Sequence, residues 1–273
     1  MKKRYFLALV VLLASASAAV AQTKVIAHRG YWKTEGSAQN SLASLAKADS
    51  VGCYGSEFDV WMTPDGVVVV NHDATTNANK YHIEYTPAPT VLREKLGNGE
   101  TLPTLDAYYA EAQKHPGLRL VCELKTHDSR SQERKCIKKL MELAKTYGLE
   151  DRVDYITFSK TGFTELIKNV PERTQVYYLS GDYLPAQVKA MKGAGIDYSI
   201  RTIKEHPEWI QQCHDLGMLV NIWTVDDPED IRWCIDNGVD FITTNVPELV
   251  AQLIAETPAK AKSGAKGGKK AGK

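Results

Sequence analysis

From Lys24 onward, short runs of β-branched and aromatic residues alternate with longer segments whose apolar positions recur every three to four residues. The strand-like runs are Lys24–His28, Ser56–Val60, Arg119–Leu124, Val153–Phe158, Gln175–Leu179, Tyr198–Ile200, Leu219–Thr224 and Asp240–Thr243. The helical periodicity covers Ser41–Ser50, Leu105–His115, Ser131–Tyr147, Thr161–Lys168, Pro185–Lys192, Glu208–Leu216, Pro228–Asn237 and Pro247–Ala255. Strands that alternate with helices pair in parallel through right-handed crossovers. Eight of each in roughly 230 residues predict an α/β fold of the (β/α)8 TIM-barrel type. An open doubly wound sheet is the alternative, but no glycine-rich dinucleotide turn follows the first strand.

One stretch breaks the alternation. Between Val60 and Val67 lies only "WMTPDG", too short for a crossover helix, and "TPDG" is a turn signal. Val67–His72 is therefore expected to fold back as a β-hairpin on the second strand. A two-residue turn pairs His72 with Glu57, Cβ atoms about 5 Å apart, and a bulge at Gly66 shifts the pairing by one; either way His72 is expected beside Glu57.

The chain ends read differently. "MKKRYFLALVVLLASASAAVAQ" has a basic start, a short apolar run and small residues up to Ala21, the form of a secretory leader. Its apolar run is shorter than the roughly 20 residues a membrane helix needs. The expectation is an exported protein, periplasmic or secreted, with no integral membrane segment after residues 1–21 are removed. Residues 258–273 contain Lys, Gly and Ala without aromatic or branched apolar side chains, and are expected to form a disordered basic tail. The domain itself then spans 22–257.

The ends also hide the charge of that domain. Three of the 34 basic groups lie in residues 1–21 and six beyond 257, leaving 25 against 33 acids. An acidic body argues against nucleic acid as a partner. The five cysteines show no metal-binding spacing and are expected as buried thiols, with a bridge open to an exported chain.

Period-two geometry concentrates polar groups at one place. Glu57 and Asp59 share a strand face, as do Glu123 and Lys125 in "RLVCELKT", and His28 ends the first strand. In a barrel these strand ends converge on the face that carries chemistry. Three carboxylates brought together favour a hard divalent cation, Ca²⁺ or Mg²⁺, with a salt bridge to Arg29 or Lys125 as the other way to offset their charge. Two histidines beside such a cation suit acid–base catalysis on a phosphate ester.

"HRG" at His28–Gly30, "E-x-D" at Glu57–Asp59, "DG-V-V-V-x-HD" at Asp65–Asp73 and "ELK" at Glu123–Lys125 together resemble the glycerophosphodiester phosphodiesterase family. The segment from Asn221 to Glu248 is similar to that family's seventh and eighth strand region. The resemblance implies a (β/α)8 barrel that hydrolyses small glycerophosphodiesters to an alcohol and glycerol 3-phosphate. It further implies Glu57, Asp59 and Glu123 as metal ligands, and His28 and His72 as the acid–base pair. Arg29 and Lys125 would bind phosphate oxygens, and Trp223 would wall the glycerol side.

The chain departs from the family where Pro-Glu-Asn-Thr is usual and "AQNS" stands, Ala38 to Ser41. Gln39 leaves the region one negative charge poorer, while Asn40 is retained. The segment "GYWKTEGSA" after Arg29 brings Tyr31 and Trp32 toward the mouth or into a surface loop. Thr243, Thr244 and Asn245 end the last strand, as mouth residues or as caps for the final helix. Two alternatives stay open on the same fold: a phospholipase-type barrel that stops at a cyclic phosphate, and a non-catalytic ligand-binding barrel. The oligomeric state is not legible.

Overall fold

Each predicted run of alternating residues becomes a strand with one face toward a helix and the other toward a closed interior. The computed structural model describes residues 22–257. The leader and tail expected at the two ends lie outside the described residues. The strands are β1 (Lys24–Ala27), β2 (Gly55–Met62), β3 (Val68–Val70), β4 (Arg119–Leu124), β5 (Val153–Thr157), β6 (Val176–Tyr178), β7 (Gly195–Ser199), β8 (Leu219–Trp223) and β9 (Phe241–Thr244). All neighbours are parallel except the β2–β3 pair, and β1 joins both β2 and β9, which closes an eight-stranded barrel.

Helices fill the crossovers: α1 (Leu42–Ser50), α2 (Ala88–Val91), α3 (Leu105–Ala112), α4 (Arg130–Thr146), α5 (Lys160–Asn169), α6 (Pro185–Ala190), α7 (Ile200–Glu205), α8 (Glu208–Asp215), α9 (Pro228–Asp236) and α10 (Pro247–Glu256). Side-chain oxygens start several of them. Ser41, Ser129, Ser159, Ser199 and Asp227 each accept a hydrogen bond from a first-turn N–H. Pro185, Pro228 and Pro247 stand at helix starts, where the missing N–H costs nothing.

The apolar residues divide between two layers. Phe58, Val60, Leu120, Cys122, Leu124, Tyr178 and Tyr198 pack outward against the helices. Ile26, Val121, Ile156, Tyr177, Leu179 and Phe241 fill the barrel interior. A third cluster of Trp61, Val69, Ile83, Val91 and Leu102 anchors the long segment between β3 and α3 on the hairpin. All five cysteines are buried free thiols.

The seventh strand runs from Gly195 to Ser199 rather than from Tyr198 to Ile200. Gly195 reads as a breaker in sequence, yet a Cβ there would come 1.9 Å from the Leu219 carbonyl oxygen. The close approach of β8 demands glycine inside the strand. Ser199 then caps α7, a short helix the periodicity did not separate from its surroundings.

Candidate active site

β2 and β4 are neighbours, and their register sets Asp59 level with Glu123. Glu57 lies two residues earlier on the same face, so all three carboxylates enter the barrel mouth. Oxygens from the three lie within 4.8 Å of one another, all buried. That donor set can hold a hard cation. Lys125, just past β4, places Nζ 2.9 Å from Asp59 Oδ1 and 2.8 Å from Glu123 Oε1. The salt bridge expected as an alternative is therefore present, but one ammonium faces three carboxyl groups.

The remaining partners are shared unevenly. Asn40 Nδ2 donates to Asp59 Oδ2 at 2.8 Å, and the Arg29 backbone N–H donates to Glu57 Oε2 at 2.7 Å. Glu57 Oε1 is buried with no hydrogen-bond partner. Burial, then the charges of Asp59 and Glu123, push Glu57 well above the usual carboxylate range. Burial and Asp59 likewise raise Glu123 to about 8. Burial also opposes ionisation of Asp59, but Lys125, His72, Asn40 and Arg29 outweigh it and hold that carboxyl well below its ordinary value. A divalent cation between these groups would offset what Lys125 cannot.

The loop after β1 is folded tightly to reach this cluster. Arg29, Gly30 and Asn40 take positive φ values of 57°, 73° and 60°. Gly30 N–H donates to the Glu57 carbonyl at 3.0 Å, and a Cβ on Gly30 would sit 2.3 Å from Ser44 Oγ. Arg29 Nη1 donates to Gln39 Oε1 at 2.6 Å, and its Nε lies 3.9 Å from Asp59. Gln39 thus holds the guanidinium without neutralising it.

The two histidines stand on either side. His28 Nδ1 is 2.9 Å from Asn245 Oδ1, and burial with the Arg29 charge lowers its pKa to about 4. His72 Nδ1 is 2.8 Å from Asp73 Oδ1; burial lowers its pKa while the Asp59 charge works against that. The hairpin pairs Val60 with Val70 and Met62 with Val68, and Asn71 N–H reaches the Asp59 carbonyl at 3.0 Å. This register sets the position after Asn71 against Phe58, not Glu57, because Gly66 at φ 85° inserts the extra residue of a bulge. His72 lies beyond the last paired residue of β3, where the Asp59 charge acts on its ring, and its Nδ1 bonds Asp73 and not Glu57.

Trp223 ends β8, with Nε1 donating to the Asp197 carbonyl at 2.8 Å and the half-exposed Phe158 ring edge-on at 5.5 Å. These rings make the apolar side of the mouth. His127 is buried with both ring nitrogens used, one accepting from Met62 N–H and one on the Lys125 carbonyl, so it fixes the loop after β4. Thr243 turns into the interior to bond Asn221, and Thr244 bonds Asp226. Asn245 is the mouth residue of that trio. Asp226 behind it gave no sequence signal, since its partners come from a different loop.

Likeness to known proteins agrees with this geometry. The profile of the Glycerophosphoryl diester phosphodiesterase family matches residues 28–249. A glycerophosphodiester phosphodiesterase of Caldanaerobacter subterraneus subsp. tengcongensis is 29% identical over 241 residues, covering 83% of this chain and 96% of that one. The crystal structure of a glycerophosphodiester phosphodiesterase from Parabacteroides distasonis superposes with a TM-score of 0.84 at 43% identity, covering 86% of this chain and 98% of that chain. An Oleispira antarctica phosphodiesterase, solved with the product sn-glycerol-3-phosphate, shares the fold at a TM-score of 0.72 and 23% identity over 86% of this chain and 97% of its own. A closed (β/α)8 barrel with acids, bases and cations gathered at its carboxyl mouth, matched over most of its length, makes this chain an enzyme of the glycerophosphodiester phosphodiesterase family.

Proposed function

We propose that this chain is an exported, divalent-cation-dependent hydrolase that cleaves glycerophosphodiesters to an alcohol and glycerol 3-phosphate. The observation that carries the reading is the buried Glu57, Asp59 and Glu123 cluster, within reach of Lys125 and Arg29 and flanked by His28 and His72. The product bound in the Oleispira antarctica phosphodiesterase supports the same substrate class. The leader-like start supports export, and no helix among the described residues is long and apolar enough to cross a membrane.

Glu57, Asp59 and Glu123 would hold the cation, either Ca²⁺ or Mg²⁺, with the unpartnered Glu57 Oε1 supplying one ligand atom. A cation there supplies charge stabilisation at the phosphoryl oxygens. Arg29 and Lys125 bind those same oxygens and orient the diester, and Trp223 closes the glycerol side. One histidine accepts the proton of the glycerol hydroxyl that attacks phosphorus, and the other protonates the departing alcohol. Water then opens the cyclic phosphate with the roles reversed.

The test is release of glycerol 3-phosphate from glycerophosphocholine and glycerophosphoethanolamine, measured with Ca²⁺, with Mg²⁺ and with chelator, beside His72→Ala. Cation-dependent release that falls by about 10²-fold or more in the variant is expected. No release with either cation would sink the reading, and accumulation of cyclic phosphate would replace hydrolysis with the phospholipase-type alternative.

A further inference from the structure

Asn245 is gripped from both sides, and the grip has a direction. Its Nδ2 donates to Asp226 Oδ2 at 2.7 Å, and its backbone N–H donates to Asp226 Oδ1 at 2.7 Å. Thr244 Oγ1 adds a bond to Asp226 Oδ1 at 3.0 Å, and Lys33 Nζ lies 3.3 Å from Oδ2. On the other side, Asn245 Oδ1 accepts from Trp32 Nε1 at 2.9 Å and meets His28 Nδ1 at 2.9 Å. An ionised carboxylate only accepts and an indole N–H only donates. Both constraints orient the amide the same way, with its oxygen toward Trp32 and His28. A carbonyl oxygen has no proton to give, so His28 Nδ1 is the donor of that bond. In the neutral ring the free lone pair is then on Nε2.

His72 is held differently. Its Nδ1 meets the carboxylate of Asp73 at 2.8 Å, a partner that favours the protonated ring where a neutral amide does not.

We infer that Asp226 and Asn245, with Trp32, form a positioning network that locks His28 in its Nδ1–H tautomer, so that His28 takes the first proton and His72 gives one. The assignment of turns rests on the phosphodiesterase reading; the tautomer does not. In the first half-reaction His28 Nε2 takes the proton of the attacking glycerol hydroxyl as its oxygen bonds phosphorus. The bond from phosphorus to the alcohol breaks, and His72 passes its Nε2 proton to the leaving oxygen. In the second, neutral His72 takes a proton from water as its oxygen bonds phosphorus, the bond from phosphorus to the glycerol oxygen that had attacked breaks, and His28 returns its proton to that oxygen. Each ring ends as it began. The charged or titratable neighbours acting on the His28 ring are Arg29, Asp59 and His72, with Asp226 and Lys33 beyond the amide.

The experiment is ¹⁵N spectroscopy of the histidines in the full-length protein, paired with kcat and KM. Wild-type His28 is expected to show an unprotonated Nε2 and a protonated Nδ1 across neutral pH. Asn245→Leu is expected to lose that tautomer preference, with a kcat about 10²-fold lower and KM little changed. Asn245→Asp keeps an acceptor for Nδ1, so it keeps the tautomer but moves His28 protonation and the acid limb of the rate profile to higher pH. An Nε2–H tautomer in the wild type, or an unchanged tautomer in a folded Asn245→Leu protein, overturns the inference. If Asn245→Leu does not fold, the wild-type spectrum and Asn245→Asp decide it. The spectra need no turnover, so a protein with the expected tautomer and no diesterase activity would refute the proposed function alone.

Discussion

Glu57 and Asp59 are two residues apart on one strand, yet their pKa values move in opposite directions because of what reaches each oxygen. Asp59 has Lys125 and Asn40, whereas Glu57 has one backbone N–H and an empty-handed Oε1. Their shared face was readable from strand period, but the division of charge was not, since Lys125 and Asn40 arrive from other elements. Another buried acid stands outside that cluster. Asp197 is buried in the barrel with Oδ1 unpartnered, and burial raises its pKa from 3.8 to about 7. A raised carboxyl contributes its full stability below the unfolded value and loses it as pH rises through the folded one. Wild type is therefore expected to lose roughly 2–3 kcal/mol relative to Asp197→Asn between pH 5 and pH 8. Urea unfolding of both proteins at the two pH values checks this, and a constant difference would contradict it.

At the scale of elements, helix starts were legible because Ser, Asp and Pro act locally on the first turn. Strand edges were less so. The seventh strand was misplaced because the need for Gly195 comes from β8 passing over it, a contact between segments 24 residues apart along β7–β8 pairing. Gly195→Ala would drive a methyl into the Leu219 carbonyl and is expected to cost about 3 kcal/mol or more, read as a lower urea midpoint. A Gly217→Ala control has no atom within 4 Å of its Cβ but carries positive φ, so it should cost only about 1 kcal/mol. The hairpin turn was likewise visible in "TPDG", while its bulge at Gly66 decided the register, setting position 72 level with Phe58 rather than Glu57.

For the whole molecule, barrel closure is what makes three carboxylates from two strands a single site. Without the cation, burial and the Asp59 charge raise Glu123 to about 8, so it keeps its proton at neutral pH, and burial pushes Glu57 in the same direction. Cation binding should expel protons, that of Glu123 among them at pH 7, and fewer at pH 9. Calorimetry in buffers of different ionisation enthalpy measures that release, and no dependence on buffer would count against ligation by these groups. At a hundredfold excess over Kd the ion should also stabilise the fold by about 2.7 kcal/mol, seen as a higher Tm that chelator reverses.

The sequence by itself determined the barrel, the order of its elements and the face on which Glu57, Asp59, Glu123 and Lys125 would meet. Those follow from periods of two and 3.6 residues and from turn chemistry, which act over a few positions. The tertiary structure decided how Lys125 and Asn40 favour Asp59 over Glu57, and that Asp226 and Asn245 orient His28. Each of these depends on a hydrogen bond between residues distant in the chain, and a one-dimensional pattern carries no direction for such a bond.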